Sequence, residues 1–128
     1  MSKININIKA TNMALTESTK KYVTEKVNML SKLIPTSGDV GVITNVEVGK
    51  ITRGQLHGDI FRAEINLEIS GKFYRSVTEK DDLYAAIDEM KDDMMMILRK
   101  DSTKRRYLLR RGAGKIKDIV RGLYQWKK

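Results

Sequence analysis

Between Phe61 and Ser70 the chain alternates without a break, Phe61, Ala63, Ile65, Leu67 and Ile69 on one side and Arg62, Glu64, Asn66, Glu68 and Ser70 on the other. A strict period of two is the pattern of a strand with one buried and one wet face, so the chain must build a sheet and supply something to cover one side of it. Ser70-Gly71-Lys72 makes a tight connection into Phe73–Val77, as in an antiparallel hairpin. Lys3–Lys9 repeats the pattern, with Ile4, Ile6 and Ile8 against Lys3, Asn5, Asn7 and Lys9. A less regular run sets Val42, Val46 and Val48 against Ile43, Asn45 and Glu47, and the stretch Lys50–Asp59, with its glycines, reads as a polar turn.

Two segments carry the helical period instead. Thr16 and Glu17 make a helix start, and Val23, Val27, Leu30 and Ile34 follow at spacings of four, three and four, with Lys20, Lys26 and Lys32 off the stripe. Pro35 and Gly38 end it. Asp81 and Asp82 open a second helix whose stripe is Leu83, Ile87, Met90, Met94 and Ile97. Asp101-Ser102-Thr103 forces no stop, and the predicted break is at Gly112 and Gly114. Beyond them Ile116, Ile119, Val120 and Leu123 form a short amphipathic stripe, with Lys115, Lys117 and Arg121 outside it. The expected fold is α+β: a two-layer sandwich in the order β-α-β-β-β-α, with a four-stranded antiparallel or mixed sheet covered on one face by two helices, plus a basic C-terminal helical tail. The expected division is one domain over residues 1–111 and a tail helix over 112–128.

The absences narrow the chemistry. There is no cysteine, which removes disulfides, thiolate metal sites and cysteine nucleophiles, and a reducing compartment such as a cytoplasm is the simplest fit. His57 is the only histidine and lies in a glycine-flanked turn, so neither a zinc site nor a Ser-His-Asp device has its partners. No GxxxxGK[ST] phosphate loop is present. Asp81, Asp82, Asp88, Glu89, Asp92 and Asp93 read as a solvated helix face with its dipole-favoured N-terminus rather than as paired catalytic carboxylates. No apolar run approaches the roughly 20 residues that cross a bilayer, and no signal-peptide pattern is visible. The expectation is a binding protein, not an enzyme, with no cofactor, no metal and no small-molecule substrate.

Charge supplies the positive signal. Up to Leu98 the chain has 13 Lys and Arg against 14 Asp and Glu, whereas from Arg99 onward it has 12 against 2, so the whole net charge of +9 arises in the last 30 residues. Arg99, Lys100, Lys104, Arg105, Arg106, Arg110 and Arg111 put seven cations in thirteen positions, with Tyr107 among them. As a helix this stretch spans about 18–20 Å, the length of a run of several phosphates. It reads as a contact for a polyanion, nucleic acid or an anionic membrane, and the competing reading is a tail kept soluble by charge. The wet sheet face has no aromatics at strand centres for base stacking, and no helix-turn-helix, zinc-finger or zipper pattern is present. A nucleic-acid ligand would therefore be read by backbone and shape. Met94-Met95-Met96 is either flexible core filler or a soft apolar contact.

Four segments together carry a family resemblance: NINIKATN at Asn5–Asn12, YVTEKVNMLSKL at Tyr22–Leu33, GKFYRSVTEKDD at Gly71–Asp82 and above all DLYAAID at Asp82–Asp88. Over residues 3–106 the chain resembles the ribosome hibernation-promoting factor and ribosome-associated inhibitor family. The resemblance implies a fold similar to a double-stranded-RNA-binding domain, seated between head and body of the small ribosomal subunit. There it would occupy the decoding region, exclude mRNA and tRNA, and silence stored ribosomes. It also implies that basic residues of the first helix and of the far half of the second face rRNA. Carried over by position these are Lys26, Lys32 and Lys100, while Met29, Asp93 and Met96 stand where Lys or Arg is common. The cluster Lys104–Arg111 is expected to compensate. The expected rRNA-binding set is thus Lys26, Lys32, Arg99, Lys100, Lys104, Arg105, Arg106, Arg110 and Arg111. The C-terminal dimerisation domain of long family members is missing, so a short form that binds ribosomes singly is expected. The rival functions are a general binder of structured or double-stranded RNA and peripheral membrane attachment through Lys115–Trp126.

Overall fold

A computed structural model describes residues 5–34, 41–52 and 58–110, with the side chains of Thr52 and of 103–110 left out. The elements run β1 (Ile6–Thr11), α1 (Glu17–Asn28), a turn of 3₁₀ helix (Met29–Leu33), β2 (Val42–Thr52), β3 (Asp59–Ile69), β4 (Lys72–Lys80) and α2 (Leu83–Arg110). The chain divides into two compact units, Met1–Ile97 and Leu98–Lys128. The predicted tail helix beyond Gly112, like Arg111, His57 and Pro35, lies outside the described residues.

The sheet is mixed, in the order β1-β2-β3-β4. β1 runs parallel to β2 because α1 carries the chain back between them, whereas β2, β3 and β4 are joined directly and pair antiparallel. The β3–β4 connection is the two-residue turn Ser70-Gly71, with φ of 49° and 85°. Positive φ at both central residues is the type I′ geometry, whose twist matches that of the flanking strands.

The sequence pattern placed the strands correctly but ended β1, β2 and β4 too early, began β3 late, and counted Asn5, which lies outside β1, as strand. Lys50–Asp59 was expected to be a turn, yet the β2–β3 ladder runs through Lys50↔Phe61, Ile51↔Ile60 and Thr52↔Asp59, closed by a Lys50–Asp59 ion pair at 3.0 Å. β4 likewise extends past Val77 to Lys80, and β1 runs two residues beyond Lys9. Polar side chains do not stop a ladder whose backbone groups still have partners.

The helices form where local chemistry starts and stops them. Thr16 caps α1 by accepting from the Thr19 amide at 3.1 Å. Ile34, which precedes Pro35, is extended (φ −101°, ψ 129°), as the residue before a proline prefers. The second helix is opened by Asp82, whose carboxylate accepts from the Ala85 amide at 2.9 Å. One face of the sheet is buried: Val46, Val48, Ala63, Ile65, Leu67 and Ile69 are packed away from solvent, as are Val23, Val27 and Leu30 from the first helical segment and Ala86, Ile87, Met90 and Met94 from α2. Thr78 Oγ1 donates to the Ala86 carbonyl at 2.7 Å, tying β4 to α2. The buried stripe of α2 differs from the expected one at its ends: Leu83 and Ile97 are half-buried, while Ala86 and Leu98 are buried. Of the methionine triplet, Met94 is core, Met95 half-buried and Met96 55% exposed, so core filling accounts for the first and not the last.

Candidate nucleic-acid interface

The predicted cations fall into two sets that the fold treats differently. Lys26, in the last turn of α1, is committed: its Nζ lies 3.3 Å from Asp88 Oδ1 and 5.1 Å over the Tyr22 ring, and its side chain is only 24% exposed. Lys32, in the 3₁₀ turn, is exposed and forms no ion pair with a described residue. Arg99 and Lys100 are exposed on α2. Lys104, Arg105, Arg106 and Arg110 lie on the same unbroken helix, which runs to Arg110. At 3.6 residues per turn the backbone positions of Arg99, Arg106 and Arg110 fall within about 40° of one another, and Lys100 and Lys104 share a second line about 6 Å apart along the axis.

Two clusters were not anticipated. Tyr22 donates its hydroxyl to Asp88 at 2.6 Å, and its ring sits 4.5 Å from that of Tyr84, so Tyr22, Lys26, Tyr84 and Asp88 form one cross-helix unit. The hydrogen bond to Asp88, with burial and the Asp88 charge adding to it, pushes the Tyr22 phenol up to about 12. Burial alone would raise the Asp88 carboxyl, but the hydrogen bonds from Tyr22 and Lys26 outweigh it and hold the group below the usual carboxylate range. Asp88 is therefore no mere member of a solvated acidic face. The signal was present in the sequence: Tyr22 and Lys26, and Tyr84 and Asp88, are each four apart and so share a helix face.

The second cluster corrects the composition of the wet sheet face. Glu64 was expected to be solvated there and is only 9% exposed. Arg62 reaches it at 2.9 Å, Arg75 at 2.9 Å and the Asn66 amide at 2.9 Å. The Asn66 hydrogen bond first, then the arginines against the opposing effect of burial, hold its carboxyl below the ordinary value. Long arginine side chains from β3 and β4 lie over the carboxylate and take it out of water. Met29 (46% exposed) and Met96 (55%) face solvent, so these departures from the basic pattern leave apolar surface where cations were expected.

No group of three or more His, Cys, Asp and Glu residues among the described ones could hold a metal, and no described helix is long and apolar enough to cross a membrane. No curated protein is matched well enough to show a relative. Among solved structures the chain is similar to the N-terminal domain of Thermus thermophilus Protein Y, with TM-score 0.61 and 26% identity over 76% of this chain and 98% of that one. A ribosomal subunit interface protein from Coxiella burnetii, 14% identical over 77% of this chain and 97% of that one with TM-score 0.56, shares the fold. The model of the family described as Sigma 54 modulation protein / S30EA ribosomal protein matches residues 6–106, nearly the whole described chain. The chain therefore belongs to that family, the ribosome hibernation family whose sequence features it displays.

Proposed function

We propose that this protein is a ribosome-binding hibernation factor of the cytoplasm that occupies the mRNA and tRNA path of the small subunit and inhibits translation by steric exclusion. The observation that carries this reading is the dense row of cations on the far half of α2, from Arg99 to Arg110, in a chain of this family. Arginine holds phosphate bidentately and is weakly hydrated, which suits a surface that must exchange water for rRNA backbone. Lys32 adds an uncommitted cation, whereas Lys26 contributes only if an RNA phosphate displaces Asp88. With about six cations on phosphates, log K falls with log salt at a slope on the order of −4 to −5.

Sedimentation of purified ribosomes through a gradient tests this, using the full chain and a full-length variant with Arg99, Lys100, Lys104, Arg105 and Arg106 all changed to Gln. The expected result is comigration of the first with small subunits and loss of comigration of the second. Equal comigration of both would place affinity in the folded body. Failure of both to comigrate, with retained binding to free structured RNA, would replace this reading with that of a general RNA binder.

A further inference from the structure

The face of the sheet away from the helices is not a uniformly polar surface. Of the exposed large hydrophobic residues among those described, Ile43, Phe73 and Val77 stand on this face, with Phe73 75% and Ile43 49% accessible. Register aligns Ile43, Glu68 and Phe73 in one row across β2, β3 and β4. Directly opposed side chains on neighbouring strands have Cβ atoms about 4.5–5.5 Å apart, so the Glu68 carboxylate is flanked by exposed apolar surface on both sides. A shallow depression of about 270 Å³ opens between this row and the next, Asn45, Asn66 and Arg75.

The charges of this face are unevenly spent. Arg62 and Arg75 are both engaged by Glu64, two residues along β3 from Asn66. Glu68 forms no ion pair or hydrogen bond with any described residue. A carboxylate between an aliphatic and an aromatic wall is complementary to a lysine or arginine side chain. The methylene stem lies on Ile43, the charge meets Glu68, and the Phe73 ring offers its negative face to the cation. A nucleic acid fits poorly at this row, because its phosphates would meet Glu68 while Arg62 and Arg75 are both held by Glu64 and Lys9 stands on β1 beside Glu47.

We propose that the open face of the sheet is a docking site for a basic protein segment, one Lys or Arg of which lies between Ile43 and Phe73 with its charge on Glu68. The site shares no residue with the cations assigned to RNA, and either proposal can fail without the other. The test is titration of the isotopically labelled full chain with the peptide acetyl-GLRLKG-amide, read as backbone amide shifts. The same peptide with both cations replaced by Glu and a uridine oligonucleotide serve as comparisons. Concentration-dependent shifts centred on Ile43, Glu68 and Phe73, with affinity reduced about threefold or more in Glu68→Gln, are expected from a surface ion pair supported by apolar contact. Phe73→Ala should weaken binding without altering the rest of the spectrum. No shifts of this row up to millimolar peptide, an equal response to the acidic peptide, or an unchanged affinity in Glu68→Gln overturns the proposal. Shifts of the same amides by the oligonucleotide but not by the basic peptide overturn it in favour of RNA.

Discussion

The unit ending at Ile97 and the unit beginning at Leu98 use charge in opposite ways. In the first, with 13 cations and 14 acids, pairing is the rule: Lys20 meets Glu17, Lys26 meets Asp88, Lys50 meets Asp59, Lys80 meets Glu89, and two arginines share Glu64. In the second, 12 cations stand against 2 acids, so the segment cannot balance most of its charge from within. Charge spent internally orients side chains and sets register; charge left over attracts a polyanion. The same residue types are therefore paired on one side of Leu98 and in excess on the other, where the proposed RNA ligand would meet them.

The largest effect that would sharpen this contrast is on ligand affinity. Neutralising Arg99, Lys100, Lys104, Arg105 and Arg106 together should make the salt slope of ribosome binding shallower by about four and leave the melting temperature of the body nearly unchanged. A slope that does not move, measured by binding at several salt concentrations, would break the contrast. The converse substitution is Ile87→Ala in the core, where the side chain is fully buried. Denaturant titration should show a loss of about 2–5 kcal/mol, with ribosome affinity kept wherever the protein remains folded.

A smaller effect is expected at the cross-helix unit. Asp88→Asn removes the anion that meets Lys26 and leaves the Tyr22 hydroxyl a neutral acceptor, costing about 1 kcal/mol by thermal melting. Affinity for RNA should hold or rise in that variant, since Lys26 is released; a fall would show that Asp88 holds Lys26 in a productive position. The smallest effect is on pH dependence. Asp88 and Glu64 both have carboxyls lowered in the folded state, so the unfolded chain takes up protons first on acidification. Their contribution is complete above the ordinary carboxylate pKa and is lost as pH falls through the lowered values. Tyr22 acts at the other extreme: with its phenol raised to about 12, the folded state keeps its proton longer, and stability falls as pH rises from 10 towards 12. Melting curves of Asp88→Asn and Glu64→Gln should be flatter in acid than those of the parent chain.

Much of this fold could be read from residue order because its elements have unmixed periods. The run from Phe61 to Ile69 matches a strand at every position, and Thr16, Asp82 and the Ser70-Gly71 turn each have side chains suited to one geometry. Element ends were less legible, because Lys50–Thr52 and Thr78–Lys80 are polar strand residues whose pairing depends on a partner strand rather than on their own pattern. Within the candidate site, Arg99 and Lys100 could be placed on an exposed helix from sequence, since nothing apolar shares their positions. The commitment of Lys26 could not, because it depends on Asp88, which is 62 residues away in the chain. Glu64 failed for a related reason: alternation assigned it to the wet face correctly, but Arg62 and Arg75 lie over it there.

The parallel pairing of β1 with β2 has a consequence for the order of assembly. The β3–β4 hairpin closes over two residues, whereas Ile6 must find Thr44 across all of α1. Closing the longer loop costs more chain entropy, and its return comes only once the crossover helix has packed. β1 is also an edge strand with a single neighbour. It should be the last strand to join during folding and the first to leave when the molecule breathes, so that its amide protons exchange faster than those of β3, which is held from both sides.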